Sequence, residues 1–429
     1  MKFIKAFCIV VTAVTVMTSS AATKFVNHSA AASGDGTSWA KAWSNVSSIK
    51  WATLAPGDFV CIAGGIYSGA ITPTSSGTSG HAITVERAHA SDAHCGSSTA
   101  GWSAAFDSQV SVSGIALGGI HYVTIDGMVA NGITMKLANS SGSNSAVSAI
   151  GPTSNVTLSH IEVSGPCGTT ACNQKGDTRS IDLNHWNGSS YDLQDTMTIQ
   201  NSNLHGSCTI LWTAHSTNLV IQHTRFADSA DSTPGNPYCH PNVIAEQDST
   251  NATFRFNEVT NWQVEGIMAC PNGGCNSSWK IYGNVWHNPM LGSYPRVLEV
   301  QGNTNGPYTV YNNTFVDVSY AVFNVANGGS FASGTVEANN IYWNSPIDSQ
   351  LKGTYDLCNS ACAGSSYQVD NNTDLFVGWS TENYQLAIPT VAGKNLSSIS
   401  TTTDLYNYDF NGVKRGTDGV WDRGAYEFK

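Results

Sequence analysis

The sequence predicts an all-β protein, a single-stranded right-handed parallel β-helix with a short N-terminal cap helix and disulfides. Three observations predict it. Only 11% of the 429 residues are charged, while Gly, Ser, Thr and Asn abound, which suits turn-rich β structure better than helices. A strand-like unit recurs as "NVTLSHIEV", "TMTIQNSNL", "NLVIQHTRF", "NATFRFNEV", "SWKIYGNVW", "YTVYNNTF" and "TVEANNIY", from Asn155 to Tyr342. No copy contains an amphipathic run of helical length, which argues against βαβ crossovers.

Each unit is a short alternating strand, a polar corner and an apolar anchor. The corner position, two residues before the last apolar one, holds Ile161, Ser202, Thr224, Asn257, Asn284, Asn313 and Asn340, and Gly127 in the earlier copy "YVTIDGMV". The gaps are 41, 22, 33, 27, 29 and 27 residues. Units of variable length near 30 residues suit one coil of a solenoid each. The 22-residue gap is too short for a propeller blade. Asn tolerates left-handed backbone and hydrogen-bonds peptide groups, so the corner residues are expected to stack as a ladder. Val259, Trp286, Phe315 and Tyr342 are expected to stack beside them in the core.

Residues 1–22 read as a secretory signal peptide: a basic "MKFIK", an apolar "AFCIVVTAVTVM" and a small-residue "SSAA". The protein is therefore expected to be secreted, or periplasmic in a Gram-negative source, and monomeric. No later segment is apolar for long enough to cross a bilayer, so no membrane partner is expected. Residues 23–429 form one β-helix domain, with cap and opening at 23–60, central coils at 120–345 and closing coils at 346–429. Without Lys2 and Lys5, 17 basic residues face 30 acidic ones, which disfavours nucleic acid as a partner. Ten cysteines remain after Cys8. Their spacing suggests Cys167/Cys172, Cys270/Cys275, Cys358/Cys362, Cys61/Cys95 and Cys208/Cys239 as disulfides, with zinc on a Cys-x4-Cys pair as the alternative.

Solenoids bind extended polymers along an exposed sheet. The second strand of each coil reads "RSIDLNH", "CTILWTA", "PNVIAEQD", "GIMAC", "RVLEVQG" and "AVFNVAN". Strict alternation turns Ile181/Leu183, Val243/Ala245, Ile267/Ala269, Leu298/Val300 and Phe323/Val325 inward. It turns Asp182, Ile244, Glu246, Met268, Glu299, Gln301 and Asn324 outward. Arg179, His240 and Arg296 line the upstream edge, and His185 and His215 lie past the downstream ends. Trp186, Trp212, Trp262, Trp279 and Trp286 are candidates for stacking on sugars, though Trp286 belongs to the core column.

This mixture suits β-elimination of a uronate polymer, where a positive group neutralises the carboxylate and a base removes the C5 proton. Glu246, Glu299 and Asp182 would hold Ca²⁺. Arg179 and Arg296 would neutralise substrate, and His240 or an arginine would act as base. Asp182, His185, Gln301 and Asn324 would contact sugar. No organic cofactor is expected. Two other readings are an inverting glycoside hydrolase using paired carboxylates and a non-catalytic adhesin. A retaining pair is set aside, because these acids fall on alternate coils about 4.8 Å per step apart.

The start, "GDGTSWAKAWSNVSSIKWATLAPGDFVCIAGGIYSGAI", and the end, "FNGVKRGTDGVWDRGAYEF", resemble the opening and closing segments of secreted right-handed parallel β-helix proteins. "PGDFVCIAGGIYSGAITPTSSGTSGHAITVERA" resembles the opening of the chondroitinase B and alginate lyase family. "RVLEVQGNTNGPYTVYNNTF" resembles that family's rung bearing a cation-binding acid and a catalytic lysine. Glu299 matches the acid; Gly302, Asn303 and Thr304 stand where the lysine would be.

Overall fold

A computed structural model describes residues 21–168, 174–231, 239–273, 275–290, 294–347, 351, 353–359, 367–369 and 374–429. The expected signal peptide lies almost wholly outside the described residues.

Three long parallel sheets share the chain. One coil shows the pattern: Ala252–Arg255 lies in the first sheet, Glu258–Trp262 in the second and Glu265–Ala269 in the third, before Trp279–Tyr282 returns to the first. Successive strands of each sheet pair in parallel with the coil before and after, giving sheets of 13, 12 and 9 strands. This is the right-handed parallel β-helix, the hand that parallel crossovers take almost without exception.

The core is one continuous column inside the coils. Val259 pairs in register with Trp286, Trp286 with Phe315, and Phe315 with Tyr342, and all four are buried. Beside them runs the ladder. Asn284 Oδ1 accepts from the backbone N–H of Asn257 at 2.9 Å, and Asn284 Nδ2 donates to Phe254 O at 2.9 Å and to Asn313 Oδ1 at 3.0 Å. Asn257, Asn313 and Asn340 repeat the arrangement, and Thr224 and Ser202 continue it with hydroxyls. Asp356, outside the sequence alignment, fills the next position and accepts from Asn340 N at 2.7 Å.

One detail differs from expectation. The left-handed residue is the one before the ladder residue: His160, Asn201, His223, Phe256, Gly283, Asn312 and Asn339, with φ of 55° at Phe256 and 61° at Asn339. Turning at that residue leaves the ladder amide directed into the coil, where it can meet peptide groups.

The cap also differs. Instead of a helix, three short 3-10 turns, Trp39–Lys41, Val46–Ser48 and Trp51–Thr53, follow the first strand, Thr23–Val26. They plug the end with Trp43, Val46 and Trp51. Disulfides join Cys61–Cys95, Cys208–Cys239 and Cys270–Cys275. Cys172 and Cys362, the partners expected for Cys167 and Cys358, lie outside the described residues.

After an antiparallel pair, Phe376–Gly378 with Asn383–Leu386, the chain runs back along the outside of the solenoid. Lys280 pairs with Asp404 at 2.9 Å, Leu405 N donates to Tyr282 Oη, and Ala425 N donates to Thr314 Oγ1. This strap buries Phe256, Tyr282 and Tyr311 beneath Leu396, Tyr406 and Trp421.

Candidate active site

The third sheet carries the predicted face, but its strands do not alternate strictly. Two consecutive residues point inward on each: Ser180 and Ile181, Ile210 and Leu211, Val243 and Ile244, Val297 and Leu298, all 0–1% exposed. Residues three apart therefore share the outer side, as the ion pairs Arg179–Asp182 and Arg296–Glu299 show. The inner column runs Leu183, Thr213, Glu246, Ala269 and Val300; the outer column runs Asp182, Trp212, Ala245, Met268, Glu299 and Asn324.

Glu246 is thus corrected from an outward to an inward residue, with Ile244, while Ala245 moves out. Counting alternation from Val243 misses the doubled inward step, and one residue of slip reverses the face. Glu246 is fully buried and accepts from Ser277 Oγ and, at 3.1 Å, from Ser249 N. Tyr308 Oη donates to Ser277 Oγ at 3.0 Å. Burial pushes the Glu246 carboxyl up to about 7, although these hydrogen bonds oppose it.

The expected Ca²⁺ set does not assemble. Glu246 points into the core, and Asp182 stands four coils from Glu299, roughly 19 Å at the usual strand spacing. Among the described residues, the metal-ligand types that lie together are Cys61, Glu86 and Cys95, and those two cysteines are bonded to each other.

What does converge is a cluster on two adjacent coils of this face, at the strands Glu265–Ala269 and Arg296–Gln301. Glu265 and Arg296 are register partners, as are Met268 and Glu299. Arg296 Nη1 donates to Glu265 Oε1 at 2.8 Å, and Arg296 Nε lies 2.9 Å from Glu299 Oε2. Glu299 also accepts from Gln301 Nε2 and Asn324 Nδ2, each at 2.5 Å. The Arg296 guanidinium rests 4.9 Å from the Tyr320 ring. Glu265 is 2% exposed, and its Oε2 accepts no hydrogen bond among the described residues; His240 Nδ1 lies 3.4 Å away. Burial, reinforced by the Glu299 charge and opposed by Arg296, pushes the Glu265 carboxyl up to about 8.

Sequence reasoning missed Glu265 because the strand was taken to begin at Gly266. Aligning "EGIMA" with "RVLEV" would have placed it two residues before the inward Ile267, as Arg296 stands before Leu298.

The other predicted residues lie elsewhere on the face. Arg179 is held by Asp177 and Asp182 and lies 4.5 Å over the Trp212 ring. Burial pushes Asp182 above its ordinary value against the pull of Arg179. His185 Nδ1 meets Asp192 Oδ2 at 2.7 Å, and His215 Nδ1 meets Tyr191 O at 2.9 Å. His240, 61% exposed, stands at the rim of the cluster. Trp262, Trp279 and Trp286 belong to the core, whereas Trp186 is exposed.

No family model matches this chain. No curated protein matches it. Solved structures do match in fold. The complex of XylC with xylose superposes with TM-score 0.55 at 9% identity, covering 95% of this chain and 99% of that one. Pectate lyase Pel9A gives 0.46 at 14% identity over 95% and 98% of the two chains. An alginate lyase from Paenibacillus sp. str. FPU-7 gives 0.35 at 13% over 66% and 92%. The first of these supports the shared fold, and none assigns an activity.

Proposed function

We propose that this protein is a carbohydrate-active enzyme that binds an extended extracellular polysaccharide along the third sheet and hydrolyses it at Glu265, Arg296 and Glu299. The observation that carries the reading is Glu265: a buried acid paired with a guanidinium that also holds a second carboxylate, Glu299, while its other oxygen stands 3.4 Å from the exposed His240. A carboxyl raised to about 8 keeps its proton at neutral pH, as a general acid must. Glu265 would protonate the leaving oxygen as the C1–O bond breaks. Glu299, oriented by Gln301 and Asn324, would stabilise the positive charge at C1 or activate the water that replaces it. This pair falls on adjacent coils, so the spacing that set aside a retaining mechanism for Asp182, Glu246 and Glu299 does not apply to it.

β-Elimination is the second reading, and the exposed His240 beside Glu265 is what favours it. Against it, the cation ligands stand apart, and Arg296 already serves two carboxylates.

Glu265→Gln is the test, on a panel of neutral and uronate polymers. The expected result is release of reducing ends without ultraviolet-absorbing unsaturated ends, and a loss of about 10²–10⁴-fold in the variant. Because the acid must be protonated, the rate should fall as pH rises through about 8. Unsaturated ends would establish the lyase instead. Full activity in the variant would remove Glu265 from the mechanism, and polymer binding without turnover would favour an adhesin.

A further inference from the structure

The loop after Asp182 has no part in the chemistry proposed above, yet it is built with care. Trp186 is 55% exposed, and its ring meets Tyr191 edge-on at 5.1 Å, the two residues forming an antiparallel bridge. Asn187 Oδ1 accepts from Ser189 N at 3.0 Å and Ser190 N at 3.1 Å, and Asn187 Nδ2 donates to Asp192 Oδ1 at 2.8 Å. Asp192 in turn holds His185, and Tyr191 O is tied to His215 on the next coil. An aromatic pair held this firmly outside the core loses little freedom when a ligand stacks on it.

The loop leaves the downstream end of the coil that carries Asp182. On the neighbouring coil, Trp212 lies under the Arg179 guanidinium with its indole N–H buried, so it backs the loop rather than offering a free face. An exposed flat apolar ring is the chemistry that recognises a pyranose, whose axial C–H groups stack on it. From the coil of Asp182 to Glu299 is four coils, roughly 19 Å, the length of several sugar rings.

We infer that Trp186 and Tyr191 form a distal sugar-binding platform, which makes the substrate a long polymer rather than a short oligosaccharide. The inference rests on the reading of the third sheet as the substrate face. It can be tested without turnover, in the Glu265→Gln protein, by affinity electrophoresis through polygalacturonate, alginate and xylan. Adding Trp186→Ala should weaken retardation by at least one polymer about tenfold, Trp186→Tyr should restore most of it, and the melting temperature should not move. Equal retardation of parent and Trp186→Ala variant, or none by any of the three polymers, would overturn the platform. If the polymer binds through Trp186 but Glu265→Gln never lowers a rate, the platform stands and the catalytic reading falls. In an active protein, Trp186→Ala should raise KM for the polymer while leaving kcat and the cleavage of short oligosaccharides unchanged.

Discussion

At the scale of single residues, two buried glutamates on adjacent coils carry opposite lessons. Glu265 faces out and is offered as an acid, whereas Glu246 faces in and has only protein around it. Glu246 makes stability depend on pH in a direction that can be worked out. Its folded-state value, about 7, lies above the ordinary 4.5, so the folded state binds the proton more tightly. The stabilisation is complete below about 4.5 and is lost as pH rises through 7. The 1.36 kcal/mol per unit makes this roughly 3 kcal/mol across the window. Glu246→Gln, which cannot ionise, should flatten the fall in melting temperature between pH 5 and pH 8 and be the more stable protein at pH 8. An unchanged profile would show that other groups set the dependence.

At the scale of elements, the ladder and the third sheet differ in how far the sequence disclosed them. The ladder was legible because its chemistry repeats: Asn257, Asn284, Asn313 and Asn340 each precede a large apolar residue by two. Its position at Asp356 was not, because a carboxylate there breaks the pattern of type while keeping the hydrogen bond. The outer face was legible at Asp182, Glu299, Gln301 and Asn324 and wrong at Glu246. Alternation is a rule about straight strands, and nothing in the letters marks where two neighbours such as Val243 and Ile244 both turn inward. Asn284→Ala would leave the N–H of Asn257 and the carbonyl of Phe254 buried without partners. At about 1–3 kcal/mol for each orphaned group, the loss should exceed 2 kcal/mol in denaturant titration. Asn284→Asp should also be costly, since an acid cannot donate to Phe254 O when ionised.

At the scale of the molecule, the C-terminal strap ties coils together from the outside. Arg415 is its pin: buried, it donates to the carbonyls of Tyr408, Asp422, Gly424 and Ala425. Removing it strands four acceptors in a segment with little regular structure. Arg415→Ala should therefore release the strap before the coils, seen as protease cleavage beyond residue 387 at temperatures where the solenoid is still folded. Cooperative loss of both together would mean that the strap is integral to the stack. The sequence showed this segment as a closing one, and its course back over Tyr282 and Tyr311 follows from contacts of Leu405 and Tyr406 with residues far away along the chain.

The asparagine ladder also has a direction. Each side-chain oxygen reaches back to the peptide N–H of the coil before it, and each amide nitrogen donates both to a carbonyl of that coil and forward to the next side-chain oxygen, so the row of side chains is polar like a sentence read one way. At Asp356 the row changes its terms: it answers Asn340 with an oxygen, and its carboxylate carries no amide hydrogen. A duplicated unit spliced in ahead of Asp356 would find a donor behind it and an acceptor in front, so the stack could lengthen there without breaking the row.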